Sequence, residues 1–251
     1  MMKLWDAIKT GYLRLIEPLA DALVRRRVNP NLITSIGTAF TLAAAVIFAF
    51  GHISVGGWVL GLTAVFDVLD GIVARRTGRE SRFGAFYDSS LDRISDGAVL
   101  AGLTVFYATD TPRHSVGMVV VCLLAIMGTF LTSYTRARAE SLGIDAKIGL
   151  LQRPERVALL SAPQALFGLA YGGWVLVAIV SLLAVTAWIT AIQRIAFVHR
   201  ATSGALDVRG VADSMAPSSA PDATVLSQTS SARSDLRPSP AVSPVTARSA
   251  R

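Results

Sequence analysis

Between residues 32 and 197 the chain returns six times to an apolar stretch close to the roughly 20 residues that cross a bilayer as a helix. The candidate spans are 32–51, 53–75, 85–107, 115–139, 154–172 and 174–197, separated by short polar or Gly-containing breaks. Hydrophobic residues make up 52% of the chain and charged residues 16%, against about 25% charged in an ordinary soluble domain. Mean hydropathy is +0.51. The fold class read from this is all-α integral membrane, with six transmembrane helices. An amphipathic helix over residues 3–26 precedes them. Its Leu4, Trp5, Ile8, Tyr12, Leu15, Ile16, Leu19 and Leu23 recur at helical spacing with charges between, the pattern of a helix lying on the membrane surface. Asp6, Glu17 and Asp21 interrupt any apolar run of the kind found in a secretory leader. Asn29-Pro30-Asn31 reads as a turn that starts the next helix.

The charges orient the spans. Lys and Arg number 24 against 17 Asp and Glu, a net +7. On one side fall Arg25–Arg27, Arg75, Arg76, Arg79, Arg82, Arg136, Arg138, Lys147, Arg153, Arg156, Arg194 and Arg200. The other side has Gly51-His52, a loop with Arg113 and His114, and Tyr171-Gly172-Gly173. The positive-inside asymmetry predicts a multi-pass protein of the inner (plasma) membrane, its termini and any site built from these charges facing the cytoplasm. The same reasoning assigns the basic excess to membrane loops and excludes a nucleic-acid partner. Cys122, the single cysteine, allows neither an intrachain disulfide nor a zinc cluster. Residues 201–251 contain 11 Ser and 5 Pro and no aromatic residue. They are predicted to form a disordered C-terminal tail behind a membrane domain over 1–200.

Five aspartates contradict the apolar character of the second and third spans. Asp67 and Asp70, at i and i+3, share a helix face. Asp88, Asp92 and Asp96, spaced by four, share another. A charge at the bilayer centre costs about 2.5–3.5 kcal/mol on insertion scales, so intramembrane carboxylates are functional candidates. The two spans are joined by a short segment and should be antiparallel neighbours. Clustered carboxylates are relieved by divalent cations, and oxygen-only ligands suit Mg²⁺ or Mn²⁺. Two such ions are a recurring device for phosphoryl transfer. A proton or cation pathway, as in a transporter, uses the same residue types. So does a set of interhelical ion pairs with Arg75, Arg79 or Arg93, and spacing by itself leaves all three open.

Written out, the segment is Asp67-x2-Asp70-Gly71-x2-Ala74-Arg75-x8-Gly84-x3-Asp88-x3-Asp92. It resembles the complete signature of the CDP-alcohol phosphatidyltransferase family, matching all eight fixed positions and the gaps between them. Arg82-Phe83-Gly84-Ala85, the run Asp92 to Val99, Ala137-Arg138-Ala139-Glu140 and Arg153-Pro154-Glu155-Arg156 are similar to the phosphatidylinositol phosphate synthases of that family from actinobacteria. The resemblance covers most of residues 1–200.

The resemblance implies a homodimer of six-span subunits among membrane lipids, with a polar cavity open to the cytoplasm. It implies CDP-diacylglycerol as donor, CMP as leaving group and 1D-myo-inositol 3-phosphate as acceptor. Glycerol 3-phosphate is the alternative acceptor. By position, Asp67, Asp70, Asp88 and Asp92 would hold two Mg²⁺ ions (or Mn²⁺), and Asp92 would also be the general base. Asn29, Pro30, Asn31, Leu32, Gly71, Ala74, Arg75, Ser81 and Gly84 would contact the donor. Arg136, Arg153 and Arg194, each at the cytoplasmic end of a late span, are the candidates to hold the acceptor phosphate. Arg138 and Arg156 are read as anchors at the lipid headgroups.

Overall fold

The computed structural model describes residues 16–215, with side chains through Ser203. Among the described residues there are helices and no strands. They are α1 (residues 16–25), α2 (Pro30–Ala49), α3 (Ile53–Thr77), α4 (Arg82–Ala108), α5 (Val116–Ser141), α6 (Arg153–Phe167) and α7 (Trp174–Met215), with a 3₁₀ turn at Tyr171–Gly173 before α7. Of the described residues, 16–204 belong to one compact unit and 205–215 to a second. Of the predicted disordered tail, the stretch from Ala201 to Met215 is helical instead, because α7 runs on past Arg200. Residues 216–251 of that tail, and residues 3–15 of the predicted amphipathic helix, lie outside the described residues.

Among the described residues four helical segments are long and apolar enough to cross a membrane: α2, α3, α5 and Tyr171–Ser203, the 3₁₀ turn with most of α7. The sequence reading counts six. The helix it expects at 85–107 is present as α4, but Asp88, Asp92, Arg93 and Asp96 keep that helix from qualifying by composition. The fifth predicted span, 154–172, stops early. α6 has 15 residues, which extend about 22 Å at 1.5 Å each against a hydrocarbon core of about 30 Å. Gly168 ends it with φ +50°, and a Cβ there would lie 2.0 Å from Ser54 Oγ. A side chain is therefore excluded on both conformational and steric grounds.

The helices are apolar outside as well as inside. Phe50, Trp58, Val116, Met127, Leu166 and Trp174 are each more than half exposed. A protein in water does not carry so much exposed apolar surface, so the chain is a membrane protein. A large apolar cluster lies toward the end remote from the aspartates, with Phe48, Ile53, Leu103, Phe106, Met118, Leu176 and Val180 among its members. α2 packs on α3 and α4, α3 on α6, and α4 on α5. Small residues permit the closest approaches: a Cβ on Gly102 would stand 2.2 Å from the Ala45 carbonyl oxygen, and one on Gly57 would stand 2.4 Å from the Ala165 nitrogen. Trp188 of α7 donates its indole N–H to the Leu124 carbonyl at 3.0 Å, tying α7 to α5. At the opposite end α1 lays Ile16 and Ala20 on Ile33, Leu69 and Val73. Arg76 of α3 clamps α1 through Glu17 at 3.0 Å and Asp21 at 2.5 Å.

The Gly102 contact gives a direct test of the α2–α4 packing. The obstructing atom is backbone and cannot rotate away, so Gly102→Ala should cost about 1–3 kcal/mol. Thermal unfolding in detergent should show a lowered midpoint; an unchanged one would contradict this approach of α2 to α4.

Candidate active site

The polar end of the bundle is assembled from helix starts and helix ends. Asn29 caps α2, its side chain accepting the Asn31 backbone N–H at 3.0 Å, with Pro30 buried at the first helical position. Ser81 caps α4 in the same way, accepting from the Gly84 N–H at 2.9 Å. The two starts meet. A Cβ on Gly84 would lie 3.4 Å from Asn31 Oδ1 and 3.1 Å from Ser81 Oγ. Ser35, one turn into α2, is 2.9 Å from the Tyr87 hydroxyl of α4. On α3, the Arg75 guanidinium folds back over Gly71, where a Cβ would be 3.2 Å from Nη1. Two helix N-termini, an exposed arginine and glycines in place of side chains make a surface suited to phosphate. Asn29, Asn31, Ser81 and Gly84 thus share one corner. Gly71, Ala74 and Arg75 line up along the last turns of α3, and Leu32 is more than half exposed at the start of α2.

The aspartates face one another across α3 and α4. Thr34 of α2 donates to Asp70 Oδ2 at 2.7 Å. Arg153, the first residue of α6, reaches between the two helices: Nη1 is 2.5 Å from Asp67 Oδ2, Nη2 is 2.8 Å from Asp92 Oδ1, and Nε is 3.9 Å from Asp96 Oδ1. Arg156, one turn further on, binds Asp96 Oδ2 at 3.0 Å. A reciprocal capping box sets the position of both arginines. Gln152 caps α6, and Glu155 Oε2 accepts the Gln152 N–H at 2.8 Å.

Behind the aspartates opens a cavity of about 620 Å³, within the range of small-molecule sites. Among its charged lining residues, Asp92, Asp96 and Glu140 stand with Arg93, Arg136, Lys147, Arg153, Arg156 and Arg194. The three arginines singled out from the sequence therefore border one space, but they are not equivalent. Arg136 pairs with Glu140 at 2.9 Å and remains close to half exposed. Arg194 is nearly buried. It donates to the backbone carbonyls of Ile148 at 2.8 Å and of Thr132, so it braces the segment between α5 and α6 with two of its five N–H groups. Arg153 is engaged by carboxylates on the other side. Among the described residues no cluster of three or more carboxylate, histidine or cysteine side chains is arranged to hold a metal ion. The donor chemistry nonetheless fits a hard divalent cation, since Asp67, Asp70, Asp88 and Asp92 offer only oxygen from two facing helices.

Several participants escape the sequence reading. Arg156, assigned there to lipid headgroups, is instead largely buried against Asp96. Thr34 and Tyr87 carry no charge and stand outside the Asp-Gly-Arg pattern. Their polarity on otherwise apolar or aromatic stretches is the signal that could have found them. Lys147 stands in an irregular segment, where periodicity says nothing.

The chain is similar to known proteins in both sequence and fold. The family model for CDP-alcohol phosphatidyltransferase matches residues 27–199. The phosphatidylinositol phosphate synthase of Mycobacteroides abscessus is 40% identical over 199 residues, 78% of this chain and 89% of the relative. The crystal structure of the Mycobacterium tuberculosis phosphatidylinositol phosphate synthase with CDP-DAG bound superposes with a TM-score of 0.67 at 34% identity, covering 74% of this chain and 94% of that one. The same protein in complex with manganese and citrate gives a TM-score of 0.66 at 34% identity, over 73% of this chain and 88% of that one.

The Asp96–Arg156 pair is testable on its own. Removing one partner of a largely buried ion pair leaves the other charge without its main partner, so Arg156→Met and Asp96→Asn should each destabilise by roughly 3 kcal/mol. Combining Arg156→Met with Asp96→Asn should recover much of that loss. Thermal unfolding of the two single variants and the double variant measures the coupling, and additive losses would show that the pair is not coupled.

Proposed function

The chain belongs to the CDP-alcohol phosphatidyltransferase family, and on that premise we propose that it transfers the phosphatidyl group of CDP-diacylglycerol to 1D-myo-inositol 3-phosphate, releasing CMP. The observation that carries this reading is the single cavity lined both by Asp92 and Asp96 and by Arg136, Lys147, Arg153 and Arg194. An acceptor needs a hydroxyl beside a base and, at the far end of a small polyol, a phosphate beside cations. The relatives' names and the CDP-DAG complex point the same way.

In this reading the cytidine diphosphate lies along Asn29, Pro30, Asn31, Leu32, Gly71, Ala74, Arg75, Ser81 and Gly84. The α2 and α4 N-termini and Arg75 face its phosphates. Asp67, Asp70, Asp88 and Asp92 would hold two divalent cations, Mg²⁺ or Mn²⁺, as the manganese complex of the relative suggests. Such ions, when bound, neutralise diphosphate charge and favour the departure of CMP. Arg136 and Arg153 hold the acceptor phosphate, with Arg194 behind them. Asp92 accepts the proton of the acceptor hydroxyl. The new bond joins that oxygen to the β-phosphorus, and the bond from that phosphorus to the bridging oxygen breaks, leaving CMP. Thr34 fixes the Asp70 carboxylate by its hydrogen bond, which limits the rearrangement needed at the site.

The membrane arrangement follows from the same reading. α4 and α6 complete a six-span subunit with α2, α3, α5 and α7, and α1 lies at the interface. The termini and the cavity face the cytoplasm, and two subunits form a homodimer.

CMP release from CDP-diacylglycerol, with inositol 3-phosphate, free inositol and glycerol 3-phosphate supplied in parallel, tests the assignment. Turnover should require inositol 3-phosphate; turnover with glycerol 3-phosphate alone would overturn the acceptor. Asp92→Asn should lower the rate by about 10²–10⁴-fold, and near-normal activity would remove it as the base. Arg136→Ala should raise the acceptor KM about tenfold or more, the worth of one charge-assisted hydrogen bond, while leaving the donor KM nearly unchanged. An equal rise for both substrates would place Arg136 outside the acceptor pocket.

A further inference from the structure

We propose that Arg153 is a shared element of the metal and acceptor sites, so that cation binding and acceptor-phosphate binding reinforce each other. The inference rests on the metal and acceptor reading above and adds a coupling between the two.

Arg153 stands at the boundary of two spaces. Its fork spans Asp67 of α3 and Asp92 of α4 at 2.5 and 2.8 Å. It also lines the large basic cavity and a smaller chamber beneath the aspartates, shared with Ser95, Asp96, Thr129 and Arg156. Its Nε is buried without a hydrogen-bond partner, with Asp96 Oδ1 3.9 Å away. The guanidinium is held by a hydrogen bond from Nη1 to Asp67 and an ion pair of Nη2 with Asp92, both carboxylates belonging to the four-aspartate set. The guanidinium and a divalent cation draw on the same carboxylate charge, and a cation between Asp67 and Asp92 would repel the guanidinium. The two occupants compete.

The backbone of Arg153 is fixed by the capping box of α6, but its long side chain is free to re-aim without moving the helix. On leaving Asp67 and Asp92 it turns toward the cavity that it already lines, among Arg136, Lys147, Arg156 and Arg194. Six cations, Arg93 among them, line that space against three carboxylates, Asp92, Asp96 and Glu140, an excess of positive charge that an anion would offset. A phosphate in the cavity stabilises the released arginine, and release frees the carboxylates for the cation. By linkage the effect is reciprocal: each ligand tightens the other by the same factor. Arg156 does not share this position, because its partner Asp96 lies outside the four-aspartate set.

The test is Mn²⁺ binding, followed by the electron paramagnetic resonance of free Mn²⁺, with the full chain in detergent. Sulfate serves as the probe, a tetrahedral dianion that does not precipitate Mn²⁺. In the unaltered protein sulfate should tighten Mn²⁺ binding at least about fivefold, the lower end of ordinary couplings. Arg153→Ala should bind Mn²⁺ about tenfold more tightly without sulfate and respond to sulfate hardly at all. Arg153→Lys, which keeps the charge but meets one carboxylate at a time, should fall between them and carries the test if the alanine variant does not fold. Unchanged or weaker Mn²⁺ binding in the Arg153 variants, or an undiminished sulfate response, would overturn the proposal. Asp67→Ala should weaken Mn²⁺ binding. If it does not, the metal reading itself fails and the coupling with it, whereas loss in Asp67→Ala together with an unaltered Arg153→Ala rejects the coupling alone.

Discussion

Carboxylates inside an apolar helical bundle are tolerated only where something compensates their charge, and the polar half of this protein is organised around that requirement. Asp67, Asp92 and Asp96 come from two helices, and the compensating cations, Arg153 and Arg156, come from the first turn of a third. Breaking either pair would leave a charge without a partner in a low-dielectric setting, which is costly. The position of α6 is therefore dictated by electrostatics at its start and by close packing further along, where Gly57 of α3 admits the Ala165 backbone.

The bundle is polarised along its length. One end is closed by Phe48, Phe106, Met118 and Leu176, a contiguous apolar cluster that holds the helices in register. The other end splays, and caps, bound threonines and ion pairs take over from packing. Arg194 shows how the opening is kept in shape. Its guanidinium reaches across to the carbonyls of Ile148 and Thr132, so a segment without regular structure is still fixed against α5 and α7. A site that must admit a water-soluble acceptor and a lipid donor gains from this division: rigidity at one end, access at the other.

The spacing of the aspartates and glycines in α3 and α4 is local information, and because both helices are regular the residues it singles out share faces there. The caps at Asn29 and Ser81 are equally local. Less legible was the extent of the helices. Charges belonging to the site make α4 read as a poor span, and Gly168 ends α6 before its apolar stretch ends. The continuation of α7 to Met215 runs against a composition that reads as disordered.

What the sequence determined by itself was the membrane setting, the helical class and the family signature, because each is written in neighbouring residues at fixed spacing. What the tertiary structure decided was the partners. Arg153 meets Asp67 across 86 positions of chain, Arg156 turns inward to Asp96 rather than outward to lipid, and Thr34 finds Asp70. Nothing in the local pattern distinguishes an arginine that faces headgroups from one that neutralises a buried carboxylate. The difference arises only when helices distant in the chain are packed side by side.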